Sequence, residues 1–258
     1  MSKSELPPDA ELARLRAELE ATQRQLAAAQ SGLADYAYSV SHDLRANLRH
    51  ITSYVALVRE ELAQSSSAEV ASYLDTVTSA AKRMGQQIDA LMRWSQLDRV
   101  VPLKTPVNLP ALIDEVRQAL EGEAAGRQID WQVATDFPSL RVDGALVREL
   151  FIHLLSNALK FTRPRPQAVI EVGWQASSEA AYCQVFVRDN GVGFNQRERD
   201  RMFRVFQRLH SHSEFEGLGM GLALAHKIVT LHGGSIRVEG ELDAGCQISF
   251  TLPLANPS

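Results

Sequence analysis

Asn157 and Lys160 lie three residues apart in HLLSNALKF, residues 153–161. On a helix that spacing turns an amide oxygen and an ammonium to one side. The pair suits a hard divalent cation such as Mg²⁺ together with a phosphate group. A second stretch, DNGVG at 189–193, follows an alternating run of strand type. Its glycines let backbone approach a ligand, and the Asp189 carboxylate can accept from an exocyclic amine. Taken alone, DNG is an ordinary turn. A third stretch, GLGMGL at 217–222, opens the helical pattern ALAHKIVTLHGG. Backbone N–H groups at a glycine-rich helix start form a phosphate site. A lone GxGxG is weak evidence, and this one neither follows a strand, as a dinucleotide fingerprint must, nor ends in Gly-Lys-Ser/Thr.

Two further stretches matter by position. MFRVFQRLH at 202–210 places an aromatic pair at helical spacing, which packing alone would explain. His42 lies in SHDLR, residues 41–45, roughly 200° around a helix from both Val40 and Leu44 and so on the outer face. Arg45 and Arg49 share that face and suit a phosphoryl group or an acidic partner, although solvated charge is the plainer reading. A zinc site at His210 and His212 lacks further ligands nearby in the sequence.

The elements that must hold these residues differ between the two halves. Residues 9–62 read as continuous helix, with Leu12, Leu19, Leu26, Leu33 and Val40 at heptad spacing, the mark of a coiled coil. Val40, Leu44 and Leu48 then step by four, a stutter that locally unwinds a supercoil, and His42 sits at it. After AQSSS at 63–67, a second helix carries Val70, Leu74, Val77, Ala81, Met84, Ile88 and Leu91 in 4-3 alternation. Two striped helices joined by a short loop predict an antiparallel hairpin, whose stripe is covered most economically in a homodimer with four helices in the bundle. On periodicity alone this is a dimerisation stalk. Beyond it, Asn108 caps a predicted helix to about Glu121, a long helix is expected over 144–161, and strands near 128–134, 168–175 and 181–188. Helix and strand mix without regular βαβ units, which predicts helices on one sheet, an α/β sandwich.

Composition divides the chain at the same place. Residues 9–101 hold no proline and two glycines, while 102–258 hold eight prolines and thirteen glycines. The domains expected are an N-terminal coiled coil over 1–32, a hairpin over 33–100, a linker over 101–107 and an α/β domain over 108–258. With 45% hydrophobic residues the 258-residue chain can bury a core, and a net charge of −4 speaks against a nucleic-acid binder. Cys183 and Cys246 make no disulfide framework. Neither a secretory leader nor an apolar span of membrane length is visible, so a soluble, cytoplasmic protein is expected.

The order of the stretches resembles the catalytic core of sensor histidine kinases of two-component systems, particularly the phytochrome-like group. The resemblance covers nearly all of 33–254: SHDLR is similar to the H box, NALKF to the N box, MFRVFQRL to the F box, and DNGVG and GLGMG to the two glycine boxes. It implies an α+β chain in which a dimerising phosphotransfer hairpin precedes a Bergerat-type ATP-binding domain. His42 would become phosphohistidine, with Asp43 orienting its ring or taking its proton. Asn157 would bind Mg²⁺, Lys160 would contact phosphate, Phe161 would lie against adenine and Asp189 would read its amino group. Gly191 and Gly193 belong to the adenine-side loop. By the same resemblance Gly217, Gly219 and Gly221, with Met220 and Leu222 between and after them, would grip phosphates at the end of a mobile lid over 207–217 that includes Arg208. The phosphoryl group would pass to an aspartate of a response regulator, and a sensor module would be separate or missing.

Four positions depart from the family pattern. Asn47 stands where proline is usual five residues after the histidine, so the helix should be straighter there. His153 replaces the first asparagine of the N box, offering Mg²⁺ a poorer ligand. Leu218 replaces a small hydroxyl residue, and Ala46 replaces the threonine or asparagine used for phosphatase action. These departures support the competing reading, a degenerate kinase acting as a nucleotide-binding dimeric adaptor. A chaperone or mismatch-repair type of ATPase is a third reading, opposed by the H-box hairpin.

Overall fold

The structure, a computed structural model, describes residues 12, 19, 22, 40, 41, 44–60, 62, 68–209 and 214–255. It divides into two units, Met1–Arg99 and Val100–Ser258. His42 and Asp43 lie outside the described residues, as do Leu26 and Leu33 of the heptad series.

In the first unit, helix α1 (44–60) and helix α2 (Ala68–Gln96) form the expected antiparallel hairpin. Arg45 near the start of α1 pairs with Asp89 near the end of α2 at 2.6 Å, and Arg59 near the end of α1 pairs with Asp75 near the start of α2. Both pairs are largely exposed, so each contributes about 1 kcal/mol at most and sets register more than stability. Leu48, Ala81, Ile88 and Met92 form the hairpin's own apolar core. The striped faces are thus divided. Leu44, Ile51 and Val58 on α1, and Val77 and Met84 on α2, stay exposed at seven-residue spacing. Asn47 sits inside α1, which runs through it without a break.

The second unit is an α/β sandwich. Its elements in chain order are β1 (Thr105–Val107), α3 (Leu109–Ala119), the single turn α4 (Glu121–Ala124), β2 (Ile129–Val133), β3 (Leu140–Val142), α5 (Gly144–Phe161), β4 (Ala168–Ala176), β5 (Tyr182–Asp189), α6 (Gly221–Leu231), β6 (Ile236–Glu241) and β7 (Gly245–Pro253). The main sheet has order β2-β4-β5-β7-β6, with β2 parallel to β4 and the other neighbours antiparallel. β1 and β3 pair separately, so three residues of the segment expected as linker are strand. Strands that short carry too little alternation to be read from sequence.

α3 and α5 form where caps and periodicity agree. Asn108 accepts from the Ala111 N–H to start α3, with Pro110 in its first turn. Asp143 accepts from the N–H groups of Ala145 and Leu146 to start α5. α5 buries Leu146, Val147, Leu150, Phe151, Leu154, Leu155, Ala158 and Leu159, which leaves its opposite side for polar work. The sheet answers with period-two burial: Ala168, Ile170 and Val172 on β4, then Cys183, Val185 and Val187 on β5. Phe151 of α5 meets Phe250 of β7 edge to face at 5.9 Å.

A buried histidine couples the two principal helices. His232, just past α6, is fully buried; its Nδ1 contacts the Ile228 carbonyl at 2.8 Å, and its Nε2 accepts from the Asp143 N–H at 3.0 Å. Accepting at Nε2 requires the neutral Nδ1–H tautomer, and burial moves the histidine's pKa down. The cap of α5 and the end of α6 are therefore tied through one ring.

Candidate nucleotide site

The C-terminal turn of α5 carries Asn157, Lys160 and Phe161. Arg127 fixes that turn by donating to the Leu159 carbonyl at 2.7 Å and to Thr162 Oγ1 at 3.0 Å. The Lys160 ammonium donates to Asn157 Oδ1 at 3.1 Å and lies 4.5 Å above the Phe161 ring centroid. Burial lowers the lysine's pKa, with the Arg208 and Arg163 charges adding to it and Glu216 and Glu123 opposing it. Phe161 also packs edge-on against Phe215, 5.2 Å between centroids.

The DNGVG loop docks on this helix end. The Val192 N–H donates to the Phe161 carbonyl at 3.2 Å, and a Cβ on Gly191 would stand 2.6 Å from that oxygen. Asp189 ends β5 and is buried, with Oδ1 accepting from the Gly191 N–H at 2.9 Å. Burial pushes its carboxyl up to about 6, against backbone hydrogen bonds from Gly191 and Cys246 that favour the charged form. A buried carboxylate can accept from an amino group that arrives with a ligand. Gly193, at φ 62°, has no room for a side chain beside the Glu241 carbonyl.

The glycine loop closes the other side. Gly217 and Gly219 take φ of 143° and 70°, and a Cβ on the latter would lie 2.5 Å from the Gln207 carbonyl. A Cβ on Gly217 would lie 3.2 Å from Lys160 Nζ; one on Gly221 would lie 3.6 Å from His153 Nδ1 and 3.8 Å from Asn157 Nδ2. Gly221 begins α6 beside His153 and Asn157 of α5, and the first turn of α6 has no side-chain cap on its N–H groups. Met220 is buried beneath the loop, while Leu222 is half-buried. Arg163 forks onto Glu216 and, chiefly by that hydrogen bond, holds its carboxyl down to about 2. Arg208 donates to the Phe215 carbonyl, bracing the far side.

The structure thus gathers Asn157, Lys160, Phe161, Asp189, Gly191, Gly193, Arg208, Gly217, Gly219, Met220, Gly221 and Leu222 around one site. One expectation fails. The 202–209 segment is not helical: a 3-10 turn over Gln196–Arg201 passes into i→i+3 turns, and Phe206 adopts φ 60°. That reversal presents the Gln207 carbonyl to Gly219, so the segment's geometry serves the glycine loop. Only Phe203 packs, 5.6 Å from the His226 ring, while Phe206 remains exposed. Sequence reasoning passed over Arg127, Arg163, Arg165 and His232, since nothing in spacing marks a residue that reaches across the fold.

The Asn157 amide oxygen, which accepts from Lys160 while Nδ2 lies toward Gly221, is a hard donor of the type that fits Mg²⁺ held mainly by a nucleotide's phosphates. Among the described residues no cluster of three or more His, Cys, Asp or Glu side chains offers an all-protein metal cage.

The fold and the site's geometry suit a nucleotide-binding module. Residues 142–256 match the family described as histidine kinase-, DNA gyrase B- and HSP90-like ATPases. Over 95% of its length the chain is 32% identical to the methanogenesis regulatory histidine kinase FilI of Methanothrix harundinacea, covering 27% of that protein. Over 94% it is 32% identical to cyanobacterial phytochrome B of Nostoc sp., covering 31% of it. It therefore spans under a third of the length of these curated relatives. A structure titled full-length ShkA in complex with AMPPNP shares the fold at TM-score 0.64 and 22% identity, over 86% of this chain and 46% of that one. The Acinetobacter baumannii histidine kinase AdeS does so at 0.57 and 15%, over 83% and 98%. The chain carries the catalytic core of a sensor histidine kinase.

Proposed function

We propose that the chain binds ATP with Mg²⁺ at the site on α5, autophosphorylates His42 and passes the phosphoryl group to an aspartate of a response regulator. The observation that carries this reading is the convergence of three separate sequence stretches on one end of α5: Asp189 at the end of β5, Lys160 with Asn157, and the glycine start of α6. Asp189 accepts the adenine amino group, and Lys160 with the first N–H groups of α6 neutralises phosphate charge. Mg²⁺, when bound with nucleotide, supplies further neutralisation of the phosphates, with Asn157 holding it.

The transfer is an in-line displacement. A lone pair on a His42 imidazole nitrogen attacks the γ-phosphorus, the bond to the β,γ-bridging oxygen breaks, and ADP leaves with that oxygen. Asp43 orients the ring or accepts the proton of its other nitrogen. A receiver aspartate then takes the phosphoryl group from nitrogen to a carboxylate oxygen.

The exposed seam of Leu44, Ile51, Val58, Val77 and Met84 supports a homodimer with a four-helix bundle. Input reaches the core from other parts of a longer chain or from a separate protein, as the greater length of the relatives suggests. Calorimetric titration with ATP and Mg²⁺ tests the site: the reading expects saturable binding at one site per chain, about tenfold or more weaker in Asn157→Ala. Label then moving from phosphorylated chain to a purified receiver domain tests the transfer. Absence of ATP binding by the wild type contradicts the reading.

A further inference from the structure

Arg165, four residues beyond α5, joins the base-side loop to a distant hairpin turn. Its Nε donates to the Asn190 carbonyl at 2.8 Å, and its Nη2 donates to the Gly191 carbonyl at 2.9 Å and the Asp243 carbonyl at 2.6 Å. The Asp243 carboxylate stands further off, at 3.7 Å. Asp243 occupies the β6–β7 turn at φ 62°, and its N–H donates to the Val192 carbonyl at 2.8 Å. Backbone meets backbone here: a Cβ on Gly193 would strike the Glu241 carbonyl, and one on Gly245 would strike the Asp189 carbonyl. Three carbonyl dipoles pointing inward repel one another, and the planar fork of a guanidinium is the side chain able to satisfy donors in several directions at once. Two of the residues it holds, Asn190 and Gly191, immediately follow Asp189.

We propose that Arg165 is the positioning residue of the base-recognition loop, gripping the Asn190, Gly191 and Asp243 carbonyls so that the Asp189 carboxylate meets the adenine amino group in fixed geometry. The inference rests on the nucleotide reading given above. Arg165 itself touches no base; it sets where the loop lies. A point-charge ammonium on a flexible stem cannot span the three acceptors, so lysine should serve poorly.

The test is ADP affinity by calorimetry at a temperature well below unfolding, for the wild type, Arg165→Met, Arg165→Lys and Asp243→Asn, with melting temperatures measured alongside. Both Arg165 variants should bind ADP about tenfold or more weakly while still folded. Asp243→Asn should bind within about twofold of wild type, because the grip is on its carbonyl. Millimolar methylguanidinium should restore ADP affinity to Arg165→Met, and methylammonium should not; the Arg165 side chain is 28% exposed, so the gap is within reach of solvent. Arg165 variants with lowered melting temperatures but unchanged ADP affinity overturn the inference, leaving the arginine a structural staple. A wild type that fails to bind ADP overturns the nucleotide reading and the inference with it. Should Arg165→Met fold too poorly to assay, Arg165→Lys with unchanged affinity is equally decisive against it.

Discussion

Asp189 carries the sharpest prediction at the scale of single residues. Its carboxyl is raised to about 6 because burial disfavours the charge. A raised folded value means the folded protein keeps the proton longer than the unfolded chain does. Nucleotide-free stability therefore falls as pH rises from about 4 to about 6. Binding has the opposite sign, since an adenine amino group prefers the charged carboxylate as acceptor. Adenine-nucleotide affinity should rise as pH climbs through about 6 and level off above 7, which calorimetry across pH 5–8 measures. Asp189→Asn should flatten that profile and weaken binding about ten- to hundredfold, the range for a hydrogen bond to a charged group. A steep profile surviving in Asp189→Asn would assign the titration to another group.

Helices and strands carry the next level of the account, and here the sequence was uneven as a guide. α5 was legible to its bounds because Asp143 caps it, the apolar period is 3.6, and Asn157 and Lys160 fall on the polar side. β4 and β5 were legible through period-two alternation. β1 and β3 were not, having three residues each, and the 202–209 segment misled because aromatic spacing looked helical where Phe206 in fact turns the chain back. The site's supports were equally hidden. Arg165 and His232 work through partners 25 to 89 residues away, a separation no local pattern records. His232 has its own consequence. Its pKa is lowered by burial, so its contribution is present above the ordinary value near 6.5 and is lost as pH falls from there toward the folded value. The gap in melting temperature between wild type and His232→Gln should accordingly narrow as pH drops below 6.5; a gap independent of pH would contradict the neutral-ring tie. In α1, Asn47→Pro would remove a helical hydrogen bond and introduce a kink costing about 3 kcal/mol in an ordinary helix. Autophosphorylation should change more than ATP affinity, and an unchanged rate would rule out a role for helix bending.

At the scale of the whole molecule, the two units do different work. All the groups proposed to face the nucleotide lie in the second, so ATP binding should survive in residues 100–258 expressed alone if that unit folds independently. The first leaves Leu44, Ile51, Val58, Val77 and Met84 in the open, a seam that one hairpin cannot cover. Ile51→Glu or Met84→Glu should convert a dimer to a monomer by light scattering at micromolar concentration, with nucleotide affinity unchanged; a wild type that is monomeric throughout would refute the bundle. Among the described residues no helix is long and apolar enough to cross a membrane.

The central claim joins the two units: the nucleotide held by the second supplies a phosphoryl group to a histidine of the first. Incubation with γ-labelled ATP and Mg²⁺, wild type beside His42→Gln, tests it most directly. The account predicts acid-labile, alkali-stable label on the wild type and none on the variant. Tight ATP binding by the wild type without label, or equal labelling of both proteins, would contradict it.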